Sequence, residues 1–250
     1  MLFLPLFAVV ALHLSPVAAS SPPPGDDPIA RAARQPPRQA REALAQAGGQ
    51  VPQDDARGLA RLSRAWSDTV PEHPDPSDPG ARQAARRSLD LAEAAVRADP
   101  QSAQAHLALA IACGKETDFV DARTKVVLAH RIRAEAERAI ALDPQLALAH
   151  HVLGRWHLGL AEVGPFARFG ARFTVGALPP GSMEEAIRQL GKAVELSPRT
   201  ILFHQHLALA YQAVGKRSEA LHQWQLVRDL PAESREDEEA QRQARAALGR

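Results

Sequence analysis

Three short stretches of this chain close in the same way, each on a proline. They are Ala95-Val96-Arg97-Ala98-Asp99-Pro100, Ala139-Ile140-Ala141-Leu142-Asp143-Pro144 and Ala193-Val194-Glu195-Leu196-Ser197-Pro198. Proline pushes the residue before it out of the helical region and suits the start of the next helix. Each stretch therefore reads as a helix end and then a fresh helix start. The residues after each proline also recur. Six residues on stands His106, His150 or His204, and nine on stands Leu109, Leu153 or Leu207. Ten on comes a small residue, Ala110, Gly154 or Ala208, and thirteen on Cys113, His157 or Tyr211. Offsets of 6, 9, 10 and 13 lie on one stripe of a helix with 3.6 residues per turn. The small residue lets a neighbouring helix come close, so Ala208→Leu is expected to overpack that contact by about 1–3 kcal/mol.

A second helix runs back from each of these to the next stop. The pattern predicts Arg131–Leu142, Met183–Leu196 and Ser218–Leu230, with faces such as Ile132/Ala136/Ala139/Ile140 and Ala186/Leu190/Ala193/Val194. An earlier unit shows as Arg57–Asp68 and then Ala81–Ala98. The strongly charged segment Ser234–Leu248 carries a thin Ala stripe, which suits a solvating end cap. Only 4% of the 250 residues are aromatic against 45% apolar, so the core is one of Ala, Leu and Val. Those residues pack closely between helices, whereas strands favour β-branched and aromatic side chains.

The same units resemble tetratricopeptide (TPR) repeats, whose period is 34 residues of helix–turn–helix. The prolines lie further apart than that, so the units carry insertions. GKETDF at 114–119 sits in the first, and the second ends LPPGSMEEAIRQLGKAVELSP at 178–198. Together with LDPQLALAHHVLGRWH at 142–157 and LALAYQAVGKRSEA at 207–220, this order is similar to that of the regulator of microtubule dynamics family and its bacterial TPR-like relatives. The resemblance covers roughly residues 55–248. It implies an all-α fold, a right-handed superhelical array of antiparallel helix pairs, that binds partners. The units run over about 55–100, 101–144, 145–198 and 199–231, then a capping helix over 234–248.

Residues 1–54 read differently. Leu2 to Leu14 is an apolar run of about thirteen residues, shorter than the roughly 20 that span a bilayer. Val17-Ala18-Ala19 comes next in the form of a signal-peptidase site, so the expectation is a signal peptide over 1–19, cleaved after Ala19, and export to the periplasm or the medium. The alternative is an uncleaved N-terminal membrane anchor. An exported protein does not meet tubulin, so on this reading a microtubule role does not transfer. Residues 20–54, dense in Pro, Gly and polar residues, read as a disordered linker that is briefly helical over Arg38–Ala47.

Several functions are disfavoured outright. Thirty basic against 29 acidic residues leave no concentrated excess for coating nucleic acid. One cysteine, Cys113, excludes an internal disulfide framework and Cys-rich zinc sites, and reads as a small buried residue. No phosphate-binding loop and no nucleophile elbow occurs, so no cofactor and no catalytic residue is assigned. Ten histidines raise a metal alternative on His150, His157 and His204, and with it a cryptic enzyme. The shared repeat position of His106, His150 and His204 argues instead for one packing role, with a ring nitrogen aimed at a backbone carbonyl.

The leading function is a non-catalytic scaffold that binds a protein or peptide. If the first helices line a concave groove, the positions between the packing stripes face it. These are Gln104, Leu107, Ile111 and Lys115, then Leu148, His151, Arg155 and Leu158, then Leu202, Gln205, Leu209 and Gln212. Arg155 and Lys115 are placed to hold a carboxylate while Gln205 pairs with backbone. Within the second insertion, Phe166, Phe169 and Phe173 form a ridge. It is expected to lie buried over the solenoid; the alternative is contact with a membrane or a partner.

Overall fold

The computed structural model describes residues 27–71 and 74–249. Among them are twelve helices and no strand. The helices are α1 (Pro28–Ala33), α2 (Pro37–Gly48), α3 (Ala56–Asp68), α4 (Pro79–Ala98), α5 (Ala103–Glu116), α6 (Ala122–Leu142), α7 (Ala147–Ala161), α8 (Pro165–Thr174), α9 (Met183–Leu196), α10 (Ile201–Ala213), α11 (Arg217–Asp229) and α12 (Arg235–Ala247). The pairs α3/α4, α5/α6, α7/α9 and α10/α11 stack in order, and α12 closes the far end against α11. This is the TPR-like array that the sequence pattern predicts. The inserted residues have two fates: the first insertion contributes a 3-10 turn (Thr117–Phe119) and a long α6, and the second contributes α8.

The helix boundaries arise from local chemistry. Asp55, Asp78, Ser102, Asp121, Ser182 and Ser234 cap the starts of α3, α4, α5, α6, α9 and α12, each accepting a bond from a free N–H of the first turn. The Asp-Pro stops work through the carboxylate. Asp99 leaves the helix in an extended conformation and accepts from the Gln101 N–H at 2.9 Å; Asp143 accepts from the Gln145 N–H at 3.0 Å. Each Asp so turns the chain into the next helix.

The recurring positions fill the seams between helices. Ala110, Cys113, Leu153, Gly154, Leu207 and Ala208 are all buried. At Gly154 an added Cβ would stand 2.7 Å from Leu190 Cγ and 3.0 Å from the Leu190 backbone nitrogen. α7 and α9 therefore meet backbone to backbone, which only glycine permits. A second close approach occurs at Gly181, where a Cβ would lie 2.4 Å from the Ala161 nitrogen as the chain crosses the end of α7. Cys113 is fully buried, and burial pushes its thiol up to about 12, so it stays protonated and inert.

The structure corrects the expectation of a disordered linker, although the brief helix expected over Arg38–Ala47 is present as α2. Residues 1–26 lie outside the described residues, but 28–48 form α1 and α2, and Ile29, Ala32, Leu44 and Ala47 join the main core with α3 to α7. Pro28 and Pro37 occupy the first helical position, where the missing N–H costs nothing. Arg41 ties α2 down by donating to the Thr69 carbonyl at 3.0 Å. Prolines that suggested a broken chain thus start two short helices.

Candidate partner-binding face

The histidines at the repeated position share one geometry. Nε2 of His106, His150 and His204 donates to the carbonyl of Pro100, Pro144 and Pro198, at 3.0, 3.0 and 2.9 Å. Nδ1 meets an oxygen on the paired second helix: Glu135 at 2.5 Å, Gln189 at 2.6 Å and Gln223 at 2.6 Å. Each ring staples the start of its own helix to the middle of its partner. His157 Nδ1 accepts from the Ser182 N–H at 3.3 Å, and burial holds that ring below the ordinary histidine value. The metal alternative on His150, His157 and His204 therefore gives way, because these rings serve the fold. No group of three or more potential ligands comes together among the described residues.

The expected groove register holds only in part. Gln104 and Gln212 are exposed, and Leu148, Arg155, Gln205 and Leu209 are half-buried. Leu107, Ile111, Lys115, His151, Leu158 and Leu202 are buried, which corrects the expectation that they line an open surface. For α5 the cause is visible in its composition: from Ala105 to Glu116 every residue is buried, because α3, α4 and α6 surround it. A helix apolar on all sides has no free face to offer. Lys115 turns back to donate to the Val70 carbonyl at 3.0 Å rather than reaching a ligand. Leu148 packs with Leu202 and Phe203, and Gln205 donates to Gln243 of α12 at 3.0 Å. Trp156 belongs to the core, donating to the Ala129 carbonyl at 2.7 Å under the Arg133 guanidinium.

What the inner helices do assemble is a charged cluster. Arg64 and Asp68 of α3 lie 3.7 Å apart, both half-buried. Burial raises the Asp68 carboxyl; Arg64 and Lys115 oppose that rise, and Glu236 in the first turn of α12 reinforces it. His151 of α7 is fully buried, with Nε2 2.8 Å from His206 Nδ1 of α10 and its ring against Phe203. Burial, then Arg155 and Arg64, hold His151 well below the ordinary histidine value, so it is neutral at physiological pH. Its Nδ1, like Arg64 Nε, has no hydrogen-bond partner. Lys115, Asp68, Arg64, His151 and Arg155 are thus linked in sequence through the field each exerts on the next. Arg64 and Asp68 were absent from the sequence-based groove because the first unit shows only its apolar stripe. Their i, i+4 spacing beside that stripe is the signal that marks them.

The family model described as Regulator of microtubule dynamics protein 1-3 matches residues 32–250. The chain belongs to this family. Regulator of microtubule dynamics protein 3 of Xenopus laevis is 28% identical over 188 residues, 75% of this chain and 40% of that protein. Regulator of microtubule dynamics protein 1 of Bos taurus is 30% identical over 203 residues, 78% of this chain and 62% of that protein. The chain thus spans less than two thirds of either regulator. Among solved structures, a thermophilic TPR protein of Thermus thermophilus superposes with a TM-score of 0.59 at 17% identity, covering 86% of this chain and 91% of that one. At that identity the likeness concerns the fold alone.

Family membership overturns the expectation of export. The named relatives are regulators of microtubule dynamics, and microtubules are polymers of the cell interior. The pattern that prompted the expectation, an apolar run closing on Val17-Ala18-Ala19, has no Lys or Arg ahead of it and is correspondingly unspecific. It lies outside the described residues. With export withdrawn, the ground for refusing a microtubule role goes too.

Proposed function

We propose that this chain is a non-catalytic scaffold that holds an acidic segment of another protein against its inner helices. The observation that carries this reading is the cluster of Arg64, Asp68, Lys115, His151 and Arg155 supplied by α3, α5 and α7. The guanidinium groups of Arg64 and Arg155, both half-buried at this face, favour a carboxylate-bearing ligand. Of the sequence-based groove, Gln104, Leu148, Arg155, Gln205, Leu209 and Gln212 retain exposure, and Arg155 is the one that belongs to this cluster. The names of the relatives point to one partner of this chemistry, the microtubule.

Co-sedimentation with polymerised tubulin tests the reading. The chain is expected to pellet with microtubules, and Arg155→Glu or Arg64→Glu to leave it in the supernatant while helicity by circular dichroism stays unchanged. If the wild-type chain stays soluble, tubulin is not the partner; if both variants pellet as it does, the inner-face assignment fails.

A further inference from the structure

The most unusual surface lies elsewhere, on α8. This helix turns its small residues inward and its large ones outward. Ala171 is buried and Ala167 packs on the main core, whereas Phe166, Phe169 and Phe173 are 93%, 67% and 73% exposed. An ordinary surface helix does the reverse. The sequence expectation of a buried Phe ridge is thereby corrected: the inward positions of α8 are taken by Ala167 and Ala171, and the three phenyl rings stand on the opposite side of the helix.

The ridge is also held in place. The Arg168 guanidinium, on the inner side, donates to the carbonyls of Leu160, Val163, Leu178 and Pro179, at both ends of the insertion. The N–H groups of Val175 and Gly176 both donate to the Ala171 carbonyl, and Gly176 takes φ 118°, where glycine is favoured. The Phe169 and Phe173 rings meet edge to face at 4.9 Å. Charge obeys the same design. Between Glu162 and Glu184 the chain carries no acidic residue and two arginines, of which Arg172 is exposed.

We propose that α8 docks the protein on the surface of a bilayer bearing anionic headgroups, independently of the inner-face site. A convex edge of aromatic rings sinks into the acyl boundary, and Arg172 meets phosphate at the headgroup level. A second copy of the chain is a poor occupant, since self-pairing sets the same acid-free, cationic surface against itself. With three rings and one helix of two to three turns, the binding is weak and reversible, and it weakens with salt.

Vesicle flotation with the full chain tests this. Vesicles of phosphatidylcholine mixed with phosphatidylserine are expected to carry the protein up, and pure phosphatidylcholine vesicles to carry much less. Phe169→Ser is expected to lower partitioning about tenfold, the lower end of what burying a phenyl ring contributes. Arg172→Gln is expected to reduce the preference for phosphatidylserine. Because these side chains are exposed, none of the substitutions disturbs the fold, and any flotation that survives Phe169→Ser combined with Phe173→Ser comes from another part of the chain. Flotation unchanged by those substitutions overturns the proposal. So does a dimer that Phe169→Ser dissolves, which would assign the ridge to self-association.

Discussion

The seam between paired helices and the inner face of the stack use the same residue types to opposite ends. At the seam, His106, His150 and His204 stand in three units, and both ring nitrogens of each meet oxygen atoms that the fold supplies. On the inner face, His151 stands once, buried with its Nδ1 unsatisfied, beside an Arg64 whose Nε is also unsatisfied. Buried polar groups without partners cost stability, so natural folds retain few. What recurs from unit to unit serves packing. What occurs in one unit, at a cost, is where the proposed acidic ligand would have something to complete.

The sharpest way to break that comparison is at the seam, where damage should be greatest. Gly154→Leu forces a side chain into the space held by Leu190, part of which is backbone that cannot yield. The expected loss is about 3 kcal/mol or more, read as a lower midpoint in urea unfolding. Gly191→Ala in α9 is the control. Nothing lies within 4 Å of its added Cβ, so it is expected to stabilise by about 0.5 kcal/mol. A comparable loss at both glycines would show that the close approach of α7 and α9 is not what the recurring small residue provides.

Next in size is His150→Leu. It keeps the side-chain volume but leaves the Gln189 Oε1 and the Pro144 carbonyl without their donor or partner. A loss of about 2 kcal/mol is expected in the same unfolding assay. His151→Phe should cost less, because it breaks one bond, to His206 Nδ1, removes an Nδ1 that is already unsatisfied, and leaves a ring among rings.

These differences explain how far the sequence could be read. The repeat spacing is legible because packing demands the same residue wherever two helices cross, and Asp-Pro stops are legible because their chemistry is local. The helix α1, and the packing of α1 and α2 on the core, were missed for a related reason. Proline at a first helical position and proline as a breaker look alike until Ile29, Ala40 and Leu44 are seen to find a core. The groove register failed at Leu107 and Ile111 because it assumed that α5 keeps one free face. Its run of A-H-L-A-L-A-I-A-C-G has no polar side to expose, which was a readable warning. The bonds among Ser63, Ser67 and Ser88, which lock α3 to α4, had no signal at all. Serine reports its partners only once the helices are placed. Arg64 and Asp68 belong to a single unit, so repetition could not mark them.

A third test uses pH. His151 and His157 are held below the ordinary histidine value of 6.5, so the unfolded chain binds protons that the folded one refuses. Stability is therefore complete above that value and falls as pH drops beneath it, for His151 by up to about 1.4 kcal/mol per pH unit. Asp68 acts in the opposite sense, since burial raises its carboxyl and stability is lost as pH rises through its folded value. The informative quantity is thus the difference between wild type and His151→Phe. Thermal unfolding from about pH 7.5 down to about pH 5.5, values bracketing the ordinary histidine pKa, should show the Tm of the variant falling less steeply. Parallel curves would mean that the His151 ring is not the proton acceptor.

The smallest expected change in stability is at Arg155, and it separates seam from inner face most cleanly. Arg155 is half-buried and fills no recurring position. Its charge helps to keep His151 neutral, so at physiological pH Arg155→Gln removes a cation without breaking an ion pair to that ring. Unfolding stability should change by less than about 0.5 kcal/mol. Capture of an acidic partner should fall with the lost charge, and more so in Arg155→Glu, where a like charge meets the incoming carboxylate. A seam residue shows the converse, a large loss of stability, with binding changed only as far as folding is. If Arg155→Gln unfolds the protein as readily as His150→Leu, the inner-face cluster is part of the framework, and repetition does not distinguish packing from binding in this chain.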